Sequence, residues 1–211
     1  MVVTALCSSF STDPHAVRAR WLGWLAAGAR EVAWALCSIP PERWSALPPR
    51  SDGGLGTWPP ARHVRHLVLY ESRLIRPLVD AVLDSQSEFG FKFKQLPSRS
   101  ELDQADAAWD PSLSPEAVAG LVDALGEGRF SLLQRLEAAP DEVWQRPLPA
   151  GVAPGEVPAY LDWLLARARQ HELEHLSALW TLALYWDRVA SSTASGVSLP
   201  LHPADRLEES H

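Results

Sequence analysis

Apolar side chains recur at steps of three and four in four separate stretches, the spacing that lines one face of an α-helix. The first stretch carries Leu22, Leu25, Ala29, Val32 and Leu36. Thr12, Asp13 and Pro14 supply its start, and Ile39 before Pro40 and Pro41 ends it near Ser38. Residues 40–57, rich in proline, glycine and serine, read as a loop. A second helix opens at Trp58, Pro59 and Pro60 and runs toward Leu83, with Val64, Leu67, Leu74 and Leu78 on its apolar side. Pro77 should change its course, because proline removes a backbone donor and crowds the preceding turn. Ser114, Pro115 and Glu116 start a third helix, whose seam is Val118, Leu121, Leu125, Leu132 and Leu136 and which stops before Pro140. Gly126 and Gly128 weaken this helix, and close approach of a neighbour would explain them. The fourth helix begins at Pro158 and reaches Arg188, with Leu161, Leu164, Ala168, His171, His175, Ala178 and Leu182 on one stripe.

Four amphipathic helices without a convincing sheet predict an all-α fold, a four-helix bundle. The connection between helices two and three, from Asp84 to Leu113, is polar and long. Within it FGFKFK at 89–94 reads either as a short strand or as a loop pinned by its phenylalanines, and loops of this length often serve as lids or binding loops. Residues 1–190 read as one domain and 191–211 as a loosely held tail.

Charge and composition narrow the function classes. A net charge of −7 lacks the basic field that a nucleic-acid surface needs. Arg62, Arg65, Arg73 and Arg76 gather locally, at a helical spacing that reads as one solvated face. The opening MVVTALCSSF has no signal-peptide pattern, and no apolar run approaches membrane-spanning length. Cys7 and Cys37 form neither a disulfide framework nor a C-x-x-C pair, so the expectation is free thiols in a cytoplasmic protein.

The chemistry concentrates at His171 and His175. An imidazole in an apolar seam needs partners, and residues at i and i+4 point the same way, close enough to share one ion. The competing reading is a pair of satisfied core histidines. His202 and His211 fall in the tail and are set aside as ligands. Residues 171–175 also spell H-E-x-x-H, the zinc peptidase signature with the glutamate as general base. Ala178 and Thr181 stand where the extended motif needs glycine and histidine, and no glutamate lies a helix further on. A di-iron centre needs Glu-x-x-His twice and finds it once, at Glu172 to His175. Glu71 lies in the second seam, where a carboxylate is costly to desolvate unless a cation, a metal-bound histidine or a wet cavity receives it.

Three segments, WPPARHVRHLVLYE at 58–71, GRFSLLQRL at 128–136 followed by VWQRP at 143–147, and PAGVAPGEVPAYLDWLLARARQHELEHL at 149–176, occur in an order that resembles the DinB/YfiT-like superfamily of bacterial metal-binding four-helix bundles. The resemblance spans roughly residues 12–188. It implies a divalent ion, zinc or nickel, on His66, His171 and His175. Helical phase alone favours His63 over His66 as the third ligand; the motif selects His66 and leaves His63 a supporting role. Three protein ligands leave a tetrahedral ion one open position, for a water activated by the metal or for a thiol held as thiolate. The implied activity is that of a metal-dependent hydrolase or a low-molecular-weight-thiol-dependent transferase acting on a small molecule. Glu172 is the leading acid/base candidate and Glu71 the second; otherwise Glu172 is an exposed carboxylate paired with Arg169. A non-catalytic, stress-associated bundle that binds a metal, a ligand or a partner helix is the alternative. Trp58, Trp144, Trp163 and Trp180 would suit an apolar pocket in either case. No nucleic-acid or membrane partner is expected, and the chain is expected to be a monomer or a homodimer through its bundle faces.

Overall fold

Proline and short polar side chains set most of the helix starts. The structure, a computed structural model, describes residues 13–49, 54–84, 96–148 and 159–194. Helix α1 spans Pro14–Cys37, with Asp13 accepting from the His15 N–H. A 3₁₀ turn at Pro41–Arg43 leads toward α2, Pro60–Tyr70. A π turn at Glu71–Ile75 then joins α2 to α3, Arg76–Asp84. In that turn the Arg76 N–H donates to the Glu71 carbonyl, five residues back. The extra residue falls just before Pro77, which has no N–H to give the helix ladder; the change of course expected there is a π turn.

Helix α4, Arg99–Ala107, corrects the reading of residues 84–113 as a loop. Ser98 and Glu101 form a reciprocal capping box, the signature S-x-x-E that marks the start of the helix. The FGFKFK segment and the residues from 195 to 211 lie outside the described residues. Helix α5 spans Pro115–Ala138, capped by Ser114, and a short α6, Asp141–Gln145, follows it. Helix α7 spans Leu161–Ala194 and so continues past Arg188, where the apolar pattern ends.

The protein is all-α, and no strand occurs among the described residues. Helix α1 packs against α5 and α7, and the α2–α3 rod contacts α5 and α7 in turn, so the long elements close a ring. Of the seam residues, Leu25, Val32, Leu36, Val64, Leu67, Leu78, Val118, Leu125, Leu132, Leu136, Leu161, Leu164 and Leu182 are buried. Burial of such side chains contributes about 1.5–3 kcal/mol each. They form two apolar clusters rather than one. On α1 the clusters meet around Gly28, on the α2–α3 rod around Glu71, on α5 around Gly128 and Arg129, and on α7 between Ala168 and Leu176. A polar layer therefore crosses the bundle between two dry halves.

Close helix approach is real, but at Gly28 rather than at the α5 glycines. A Cβ on Gly28 would collide with Glu172 Oε1 and lie 2.7 Å from Arg169 Nη1. At Gly126 a Cβ would meet nothing within 4 Å, and at Gly128 it would sit 3.4 Å from Glu71 Oε1, an ordinary contact. Gly28→Ala should lower stability by about 1–3 kcal/mol through overpacking. Gly126→Ala should raise it by about 0.5–1 kcal/mol through helix propensity. Urea denaturation of the two variants checks both signs.

Candidate metal centre

Arg129 occupies a seam position of α5, between Leu125 and Leu132, where the apolar pattern calls for a hydrophobic residue. Its guanidinium is buried and reaches all the other long rods. Nε and Nη2 donate to Glu71 Oε2 at 3.0 and 2.6 Å, Nη2 donates to Glu172 Oε2 at 2.7 Å, and Nη1 donates to the Leu25 carbonyl of α1 at 2.8 Å. Arg169 extends the network, donating to Glu172 Oε1 and, at 2.5 Å, to Glu31 Oε2. The two carboxylates hold the Arg129 guanidinium charged against the opposing effect of burial.

This layer settles what receives Glu71: a cation, through one of its two oxygens. It also corrects one reading of Glu172. The pairing with Arg169 is present, but the side chain is only 2% exposed and is held by a second guanidinium. Sequence reasoning assigned no role to Arg129, although an arginine in phase with a leucine seam was the signal that could have found it.

Above this layer, three imidazoles converge. His66 comes from α2, and His171 and His175 come from α7, one turn apart. One ring nitrogen from each lies within 4.8 Å of the others. His66 Nε2 is 3.1 Å from His171 Nε2, which is 3.2 Å from His175 Nε2. Ligands about 2.0–2.1 Å from a tetrahedral ion stand about 3.3 Å from one another, so these separations fit a shared divalent ion with little adjustment.

The remaining ring nitrogens have their own neighbours. His63, buried on α2, places Nδ1 at 2.9 Å from His175 Nδ1. His66 Nδ1 approaches Asp106 Oδ1 to 3.2 Å, out of line for a full hydrogen bond but close enough for the carboxylate to favour a proton there. A proton on Nδ1 leaves Nε2 with a free lone pair, the arrangement metal-binding histidines adopt. Asp106 belongs to α4, the helix that the apolar pattern does not show. Arg62 donates to Asp106 Oδ2 at 2.9 Å, and Arg65 Nη2 donates to the Ala105 carbonyl at 2.8 Å. These two arginines thus dock the C-terminal end of α4, where cations are favoured, rather than forming a solvated face. Nothing in the local pattern identified Asp106; its role exists only through the packing of α4 on α2.

Aromatic rings border the cluster. Trp58 lies 5.2–5.8 Å, ring centre to ring centre, from His63, His66 and His175, and Tyr70 lies 4.0 Å from His171. Trp144, Trp163 and Trp180 pack against the apolar clusters instead. Burial, followed by the charge of neighbouring groups, pushes His63 and His171 down to about 4 and His175 down to about 3. All three are therefore neutral near pH 7, the protonation state in which imidazole binds a metal.

The sequence model of the DinB superfamily matches residues 25–179, which include every histidine of the cluster. No curated protein and no solved structure gives a significant match. No helix among the described residues is long and apolar enough to cross a membrane.

The depressed histidines set the sign of a pH effect. Between about pH 6.5 and about 4 the unfolded chain takes up protons that the folded metal-free protein excludes, so stability falls as the solution is acidified through that window. Thermal melts of metal-free protein from about pH 7 to about pH 4 should show this fall, with a shallower slope for His175→Gln. Arg129→Met leaves two buried carboxylates without their shared cation and should cost about 3–5 kcal/mol. The triple variant that also carries Glu71→Leu and Glu172→Leu should recover part of that loss in urea denaturation.

Proposed function

The chain belongs to the DinB superfamily, and from that premise we propose that it binds one divalent ion, zinc or nickel, through His66, His171 and His175 and uses it to act on a small molecule. The observation that carries this reading is the convergence of three imidazoles at ligand spacing, two of them with a neighbour at Nδ1, His63 for His175 and Asp106 for His66. The donor set suits either metal, since imidazole nitrogen is common to both. A bound ion would supply Lewis acidity, activating a water for hydrolysis or a low-molecular-weight thiol for transfer. His63 and Asp106 orient the ligands. Trp58 and Tyr70 provide an apolar rim that keeps bulk water from the rings. Glu172, as the acid/base group of this proposal, would have to exchange its bonds with Arg129 and Arg169 during turnover; in the resting protein Arg129 holds Oε2 and Arg169 holds Oε1.

One observation favours a second reading, a non-catalytic metal-binding bundle. The cavity beside His171 measures only about 20 Å³ and is lined by neither His66 nor His175, whereas a cleft of about 280 Å³ lies away from the histidines at Ser72, Arg76 and Arg135. Cobalt-substituted protein separates the two. An absorption change on adding a small thiol supports chemistry at an open ligand position, and a spectrum unmoved by thiols or small anions favours the non-catalytic reading.

Elemental analysis of protein purified without a histidine tag should find about one equivalent of metal. His66→Ala and His171→Ala should lose it. His63→Ala should keep the stoichiometry while binding more weakly, by about 10–100-fold, because only the orientation of His175 is disturbed. Wild-type protein that takes up neither zinc nor nickel would overturn the proposal.

A further inference from the structure

The cleft of about 280 Å³ lies between the α2–α3 rod and α5. Ser72, Arg76 and Asp80 line it from the rod at steps of four residues, and Ser131 and Arg135, also four apart, line it from α5. Its size is near the lower limit for small-molecule sites, about 300 Å³. The charges that border it are matched on one side only. Arg135 Nε lies 3.2 Å from Asp80 Oδ1, and Nη2 donates to Asp84 Oδ1 at 2.8 Å. Arg76 has no such partner. None of its nitrogens donates to an oxygen among the described residues, and its Nε is buried. Its guanidinium reaches α5, where Cζ would stand 4.0 Å from a Cβ on Gly128. Glu71 lies at the same glycine, but it forms no ion pair with Arg76, and its Oε2 already accepts twice from Arg129. A half-buried cation with unmatched donors is costly, and an oxyanion placed against it removes that cost.

We infer that this cleft is a small-molecule site separate from the histidine cluster, in which Arg76 binds the carboxylate or phosphate group of an anionic ligand. A guanidinium presents paired donors that match two oxygens of either group, which an ammonium cannot do. Ser131, whose hydroxyl has no partner among the described residues, supplies a further donor from the opposite wall. Ser72 does not, because its hydroxyl already donates to the Leu69 carbonyl at 3.2 Å. Asp80 opposes an anion in the cleft, and its pairing with Arg135 reduces that repulsion without removing it.

Inorganic phosphate and succinate, titrated at constant ionic strength into nitrogen-labelled protein, test the assignment. The Nε–H signal of Arg76 should shift saturably with at least one of them, and the stronger response identifies the oxyanion. Arg76→Gln should weaken binding, read by calorimetry, about 10–100-fold. Arg76→Lys keeps the charge but not the paired donors, and should recover only part of that loss. Asp80→Asn removes the repelling carboxylate and should tighten binding, a sign that general damage to the fold would not produce. None of the histidines lines the cleft, so these expectations hold whether or not the protein takes up a metal. An Arg76 signal that neither anion moves would overturn the inference. So would shifts confined to the histidine rings, or affinities that Arg76→Gln and Asp80→Asn leave unchanged.

Discussion

The buried guanidinium of Arg129, on α5, bonds at once to the α1 backbone, to the first residue of the π turn and to Glu172 of α7, and the bundle is organised around it. Such a cluster is weak evidence for stability, since apolar replacements of equal volume often do as well. Its effect is on register. Sliding any rod by one turn would bury a carboxylate without its cation or leave the guanidinium facing leucines, and either outcome costs several kcal/mol. The apolar seams above and below tolerate many registers; the charge layer tolerates one. Gly28 records the same constraint in sterics, because α1 can pass Glu172 only where it has no side chain.

That fixed register is what permits a ligand cluster to be assembled from two helices. The relation of His171 to His175 is given by one turn of α7 and is insensitive to packing. The place of His66 relative to them is set by how α2 sits on α7, and about 1 Å of slippage would separate nitrogens now 3.1 Å apart. The same burial that orders the rings of His171 and His175 keeps those two uncharged near neutral pH, so like charges on them do not force them apart. Position and protonation thus have one cause.

The site also depends on an element that contributes no ligand. Helix α4 brings Asp106 to His66, and it is held there by Arg62 and Arg65 from the ligand-bearing helix itself. Its start was written in the chain as Ser98 and Glu101, a capping box. Its weak apolar face concealed it, because α4 is held by ion pairs and carbonyl contacts more than by a hydrophobic seam. A periodicity reading finds helices that bury leucines and passes over those that bury an aspartate.

Local sequence was enough to place the long helices, their seams, the change of course before Pro77 and the alignment of His171 with His175 one turn on. These features follow from spacings of three and four residues and from proline and capping chemistry, which act within a few residues along the chain. Helical phase alone pointed to His63 as the third ligand, and the family motif to His66. Packing brings His66 Nε2 to His171 and sets His63 against the far nitrogen of His175. Packing also made Arg129 the cation that receives Glu71 and Glu172, and set Asp106 beside His66. The physical reason is distance along the chain. Arg129 and Glu172 are 43 residues apart, and His63 and His175 are 112 apart. Partners so remote leave no trace in local periodicity, and they meet only where one rod lies against another.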